Sequence, residues 1–296
     1  VGDQLDLFLD SRAVMLANDV VGALAARDAA RAGVALERLQ SEAPDHPALP
    51  SLRTSARALA EWRRPGADPQ AILAAVRWLD DELAPAARQV LGEAASAFVA
   101  EFFREMAQDA RGVAYEPAHA QAHRTALCLR CGEWAEAEEA AAAILGATRR
   151  ADPLQWLTVA RYRRHGLAAA RPTLFALAWH APLRLAAVRA DLADELLERE
   201  WQAFERACEW ESVAEAELPA WFPAWYLLEH PVVGKELGDI VFPDSPPARA
   251  ARLLVALFAL ERRGDQRRLA GERERLRRLN PELFALYMAH REVQYR

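Results

Sequence analysis

Lysine is almost absent from this chain: Lys235 is the only one, and arginine carries the rest of the positive charge. That bias reads as a GC-rich genome more than as function. Isoleucine is nearly as scarce, occurring only at Ile72, Ile144 and Ile240. Strand-forming runs are rare with it, which removes the composition of a sheet protein. Cys128, Cys131 and Cys208 are the only cysteines, too few for a disulfide framework and one short of a four-cysteine zinc site. No apolar run approaches the roughly 20 residues that span a bilayer. A positive balance is also missing: the formal charge of −6 argues against a dedicated nucleic-acid binder. There is no GxSxG, HExxH, phosphate-binding loop or dinucleotide fingerprint. The first residues, Val-Gly-Asp-Gln, lack both an initiator methionine and the basic and apolar regions of a signal peptide, which leaves a removed leader open. Cytoplasmic residence is the expectation.

What is present is a helical composition. Apolar residues make up 52% and charged residues 27%, enough for a sizeable core with a solvated surface. Alanine, leucine, arginine and glutamate dominate, all strong helix formers. Residues 3–26 read as one helix with Leu5, Phe8, Leu9, Met15, Leu16 and Leu24 on a wide stripe. Asp28 to about Glu42 follows, with Ala29, Ala32, Leu36 and Leu39 on one face, and a further helix covers about 51–63. Asp68-Pro69 is a helix start, Asp as N-cap and Pro in the first turn, and Pro85 is a break before a long apolar face ending at Gly112. Ala118–Cys131 is expected to be one helix and Trp134 to about Ala147 its partner. Later helices are expected from Asp152 to His165, over 167–181, 183–199 and 201–217, and again from Ala248 to the C-terminus.

One grammar recurs along the chain. Gly264-Asp265, an arginine-rich helix and Asn280-Pro281 repeat the order of Arg27-Asp28, Ala32, Leu36, Leu39 and Ala43-Pro44. Gly132-Glu133-Trp134 with Ala137, Ala141 and Ile144 repeats it again. The stop before a helix, the Gly-Asp-type turn and a small residue at the helix crossing resemble the tetratricopeptide repeat (TPR), most clearly over residues 13–48, 116–152 and 250–283. Arg27 stands where that repeat has a turn glycine, and Arg273 where it has a large apolar residue. The resemblance implies an all-α fold, a single right-handed superhelical α-solenoid over residues 1–296 built of about seven or eight helical hairpins, with residues 281–296 as a capping helix. It further implies a non-enzymatic adaptor that holds a peptide or helix of another protein, acidic in one variant of the reading, with no cofactor. The groove faces would carry His119, Ala122, Ala126 and Arg130 in one unit and Leu254, Phe258 and Arg262 in another.

Four features carry chemistry on one reading and structure on another. Cys128 and Cys131 form a CxxC, either a weak metal or redox motif or small apolar filler between helices. Trp221, Trp225 and Tyr226, with Phe222, form either a recognition platform or packing on two helix faces. Arginines between 262 and 278 offer an acidic-partner surface or a solvated face paired with Glu261, Asp265, Glu272 and Glu274. Residues 230–247, with Gly234, Gly238 and several apolar residues, are the one long irregular stretch, either a lid or a plug. A helical-repeat enzyme or ligand sensor, with a carboxylate pair assembled across helices, is the competing expectation.

Overall fold

The computed structural model describes residues 2–208, 210, 213–235, 237 and 240–294, with the backbone alone for residues 2–11, 293 and 294. The side chains of Leu5, Phe8 and Leu9, the turn at Gly238 and the last two residues of the expected capping helix lie outside that description. The structure is all-α: every regular element among the described residues is a helix, with no strand among them. They divide into two compact units, Val1–Ala137 and Glu138–Arg296.

In the first unit α1 (Gly2–Ala25) packs on α2 (Ala29–Glu42), and α2 on α3 (Leu49–Glu61). Asp28 caps α2 by accepting from Arg31 N at 2.9 Å. Asp68 likewise caps α4 (Pro69–Trp78). Pro85 does not break the chain here. A π-helical turn, Leu79–Leu83, joins α4 to α5 (Ala84–Leu91), so that helical backbone runs unbroken from Pro69 to Leu91. Ala84 N donates to Leu79 O, five residues back, directly before the proline. That widened turn accommodates a ring that would clash with the carbonyl four residues back in a regular helix. The break falls instead at Gly92, φ +55°, ahead of α6 (Ala95–Asp109). Leu24, Leu39, Leu52, Leu79, Leu83, Phe102 and Met106 are buried in this unit.

The helix expected over residues 118–131 is two pieces. Pro117–Ala122 is a 3₁₀ segment, and His123 takes an extended conformation (φ −70°, ψ 141°) before α7 (Arg124–Arg130). His123 acts as the N-cap: its Nδ1 accepts from Thr125 N at 3.2 Å. The partner α8 (Trp134–Ala142) also ends earlier than the pattern implied, with Gly146 left-handed at φ +72° and a 3₁₀ turn after it.

The three turns singled out in the sequence share one hydrogen-bond pattern. Asp28 N bonds Ala23 O, Glu133 N bonds Cys128 O and Asp265 N bonds Leu260 O, each five residues back, with an inner bond closing each turn. This is a Schellman closure, which requires a left-handed residue just past the helix. Gly132 and Gly264 supply it at φ +77° and +70°. Arg27 supplies it at φ +53° without being glycine.

In the second unit α9 (Ala151–His165) packs on α10 (Leu167–His180). The next stretch departs from the expected 183–199 and 201–217: α11 (Leu185–Leu192) stops at Ala193, φ +49°, and α12 (Glu195–Ala207) starts from Asp194 as N-cap. A 3₁₀ segment, Glu215–Trp221, leads into α13 (Phe222–Glu229). Helix resumes at Pro246, two residues before Ala248, as α14 (Pro246–Arg263), followed by α15 (Gln266–Leu279) and α16 (Pro281–Gln294). From α12 onward each helix packs on the next. Asn280 caps α16 through Leu283 N at 2.7 Å.

Residues 230–247 pack inward in their described part. Val233 and Leu237 are buried, Phe242 sits 5.1 Å from Trp179, and Gly234 lies so near Val255 that a Cβ there would come within 3.1 Å of its side chain. The apolar residues of this segment fill the second unit's core, while Val232 and Val241 stay exposed.

Candidate functional site

The first unit contains a cleft of about 270 Å³ lined by Arg57, Ala58, Glu61, Trp62, Arg63 and Trp78. It arises from a mismatch of helix lengths. α3 packs along α5 and the π-turn and ends at Glu61, whereas α4 carries the same helical run onward past that end. Trp62, at the C-cap of α3, and Trp78, at the last residue of α4, meet at this step.

The two indoles lie 6.2 Å apart at centroids and within 22° of parallel, and both are half-buried. Their edges are tied down. Trp62 Nε1 donates to Glu105 at 2.9 Å, and Trp78 Nε1 donates to Glu82 at 3.1 Å. Phe102 packs edge-on against Trp62 at 5.0 Å. Ring position is therefore fixed before any ligand arrives, and the two indoles form part of the cleft wall beside its charged groups. Arg57 stands on the rim, 4.0 Å from Glu61 and about half exposed. Arg63 donates to Trp62 O at 3.0 Å and is exposed. Arg64 is committed elsewhere, paired with Asp109.

The residues expected to line a groove lie elsewhere, and several are core. Ala122, Ala126, Leu254 and Phe258 are buried and line no open surface. His119 is part of the 3₁₀ segment, where its ring bridges Glu116 (3.2 Å) and Gln70 (2.7 Å). Arg130 pairs with Asp80 at 2.5 Å and lies 5.1 Å over Phe103. Arg262 is exposed at the end of α14. The break at His123 explains the scatter in the first group, because His119 and Ala122 no longer share a helix with Ala126 and Arg130.

Trp221, Trp225 and Tyr226 are all buried and offer no platform. Trp225 and Tyr226 join Phe175, Trp201, Phe204 and Phe222 in an aromatic cluster whose rings meet at 5–6 Å, and Trp221 meets Trp210 at 5.6 Å. Cys128 and Cys131 are buried thiols, with Cys131 Sγ 3.4 Å from Cys128 O. Burial pushes Cys128 up to about 12 and raises Cys131 as well, the opposite of a reactive thiolate. Among the described residues no three histidine, cysteine or carboxylate side chains are grouped to hold a metal ion.

The arginine-rich α15 is largely paired on its own face, Arg275 with Glu272 at 2.7 Å and Arg278 with Glu274 at 2.8 Å. Arg273 instead points inward. It reaches Tyr287 Oη at 3.0 Å and Glu261 at 3.4 Å, and Glu261 also takes Arg291 at 2.8 Å and the Tyr287 hydroxyl. At position 273, where a large apolar residue is expected, an arginine instead joins Arg291 on the Glu261 carboxylate.

A larger cleft, about 540 Å³, lies in the elbow between α11 and α12. Arg189, Arg199, Asp194, Glu195 and Glu198 line it in mixed charge. Arg189 lies 3.9 Å over Trp201 and 3.5 Å from Glu198, and Asp194 accepts from the Tyr162 hydroxyl at 2.9 Å.

The tryptophan cleft was not legible in the sequence as a site. Its signal is two tryptophans flanking a Pro-Gly break and an Asp-Pro helix start, which brings them together only if helix runs on past Pro85. Among the described residues no helix is long and apolar enough to cross a membrane. The chain matches no family model, no curated protein and no solved structure.

Proposed function

We propose that this protein is a non-enzymatic, cytoplasmic adaptor of TPR-like helical hairpins that holds a segment of a partner protein. The right-handed superhelical arrangement of its hairpins is part of the proposal. The observation that carries it is the pair of half-buried, edge-anchored tryptophans in the cleft of the first unit. Indole surface left accessible and held rigid is the usual chemistry of an interface anchor, since little side-chain entropy is lost on contact. The three Schellman-closed turns support the hairpin part. A net charge of −6 favours a protein partner over a nucleic acid.

The test is a photo-crosslinking side chain placed at Arg57, on the cleft rim, and at Ala187, an exposed position of the second unit. A partner captured from native lysate at Arg57 but not at Ala187, and lost with Trp78→Ala, is the expected result. Identical captures at the two positions, or captures indifferent to Trp78, would refute the assignment.

The competing reading, a ligand sensor, draws on the elbow cleft, whose volume suits a small molecule. Glu195 and Glu198 are exposed and Asp194 is taken by Tyr162 and the α12 N-terminus, so the carboxylates do not converge as a buried pair and an enzymatic version gains nothing from this cleft.

A further inference from the structure

We infer that the cleft at Trp62 and Trp78 selects an acidic peptide segment that carries an aromatic side chain; this rests on the adaptor reading and specifies its ligand. The ring lies against the indole faces, and the flanking carboxylates meet Arg57 and Arg63.

Three observations narrow the chemistry. The first is that both indole N–H groups are already bonded, to Glu105 and Glu82. A proline-rich segment docking on tryptophan needs those donors for its carbonyls, so this cleft offers it only half of the usual recognition. An aromatic side chain needs only the faces.

The second is the charge of the rim. Arg57 and Arg63 flank the cleft, and Arg53 precedes Arg57 by one helical turn on the same exposed face of α3. Of the nearby carboxylates, two are held by indole N–H groups and Glu61, on the cleft wall itself, stays exposed beside Arg57. Glu105 holds Trp62 and lies 3.7 Å from Arg27, Glu82 holds Trp78, and Glu61 is 4.0 Å from Arg57. The two rim guanidiniums outnumber the one lining carboxylate, and they give a ligand carboxylate planar donors suited to bidentate contact.

The third is size. About 270 Å³ holds one side chain and its neighbours rather than a whole helix. The ligand is thus a short extended segment with one anchoring ring, and the carboxylates contribute as rim contacts.

The probe is a fluorescein-labelled Gly-Asp-Glu-Phe-Asp-Glu-Gly peptide titrated with the full chain by fluorescence anisotropy at low salt. A proline-rich peptide and a charge-inverted Gly-Arg-Lys-Phe-Arg-Lys-Gly peptide run beside it. Tight, saturable binding of the acidic peptide is expected, weakened about tenfold by replacing Phe with Ala and about tenfold by replacing the acids with amides. Trp78→Ala should abolish it. Because Trp78→Ala also removes packing, the exposed double variant Arg57→Glu, Arg63→Glu serves as the second test. It should retain its helical circular dichroism, lose the acidic peptide and gain the inverted one.

Acidic-peptide binding that survives either the Phe replacement or the double variant overturns the inference. If the proline-rich or inverted peptide binds in a Trp78-dependent way and the acidic one does not, the ligand chemistry is wrong while the adaptor reading stands. If none of the three binds, this inference falls, and crosslinking at Arg57 decides the adaptor reading separately.

Discussion

Arg27 holds a backbone conformation that side chains rarely adopt, and its replacement separates two opposing effects. At φ +53° the residue closes the turn between α1 and α2 where glycine would be free of strain. The left-handed conformation costs a residue with a Cβ roughly 1–2 kcal/mol. The side chain offsets that cost. Its guanidinium lies 4.6 Å over Phe102 and 5.6 Å over Phe98, donates to Phe98 O at 2.9 Å and stands 3.7 Å from Glu105. A charged hydrogen bond to a carbonyl is worth about 1.5–3 kcal/mol and a half-buried cation–π contact about 1 kcal/mol. Arg27→Ala loses those contacts and keeps the strain, so it should destabilise by about 2–4 kcal/mol. Arg27→Gly loses the same contacts but relieves the strain, and should be about 1 kcal/mol more stable than the alanine variant. The order Gly above Ala reverses the order at an ordinary helical position. Urea denaturation at constant m-value measures it, and thermal unfolding should separate the two variants by about 2–4 °C. An alanine variant as stable as the parent, or a glycine variant below alanine, would refute the reasoning.

Ala193, the other left-handed residue without glycine, has no such compensation: it is exposed at φ +49°. Ala193→Gly should therefore stabilise the protein by about 0.5–1 kcal/mol, and a lower melting temperature would contradict the elbow geometry. Burial, with the hydrogen bond to Glu261, pushes the Tyr287 hydroxyl up to about 12. The unfolded chain releases that proton near pH 10, about two units earlier, so the stabilisation is complete below pH 10 and lost as pH rises towards 12. Tyr287→Phe should flatten the alkaline limb of a stability–pH curve, and an unchanged limb would count against the site. Cys128 is held near 12 and Cys208 is raised further by burial, so native thiols should resist a disulfide reagent at pH 8 and react only after denaturation. Rapid labelling of the folded protein would show that the thiols are accessible.

Features set within about five residues were the legible part of this chain. Asp28, Asp68 and Asp265 each cap a helix from the position where the sequence places them, because a capping carboxylate reaches only two or three residues ahead. The Schellman turns at Gly132 and Gly264 are equally local. Helix ends that depend on substitutes for the usual residues were not legible. Ala193 ends α11 without glycine, and His123 starts α7 by using an imidazole nitrogen in place of an Asx or Ser oxygen, a role that burial supports by holding its pKa down.

The candidate site depends on one such substitution at longer range. Pro85 reads as a stop, and on that reading the helix carrying Trp78 would be independent of the one that packs along α3. The π-turn at Leu79–Leu83 absorbs the proline and keeps both on one helical run, so the length by which that run passes Glu61 decides where Trp78 lies. Trp62 then meets Trp78 across 16 positions of sequence with no local pattern to announce it. The aromatic residues that do form a pattern, Trp221 at the end of the 3₁₀ segment and Trp225 and Tyr226 in α13, fall on adjacent faces, and a helix apolar on more than one face is buried between neighbours. Dense aromatic periodicity therefore marked the core of the second unit. The half-buried pair in the first unit arose where two helices of unequal length leave a step that α6 covers only on the Trp62 side, through Phe102 and Glu105.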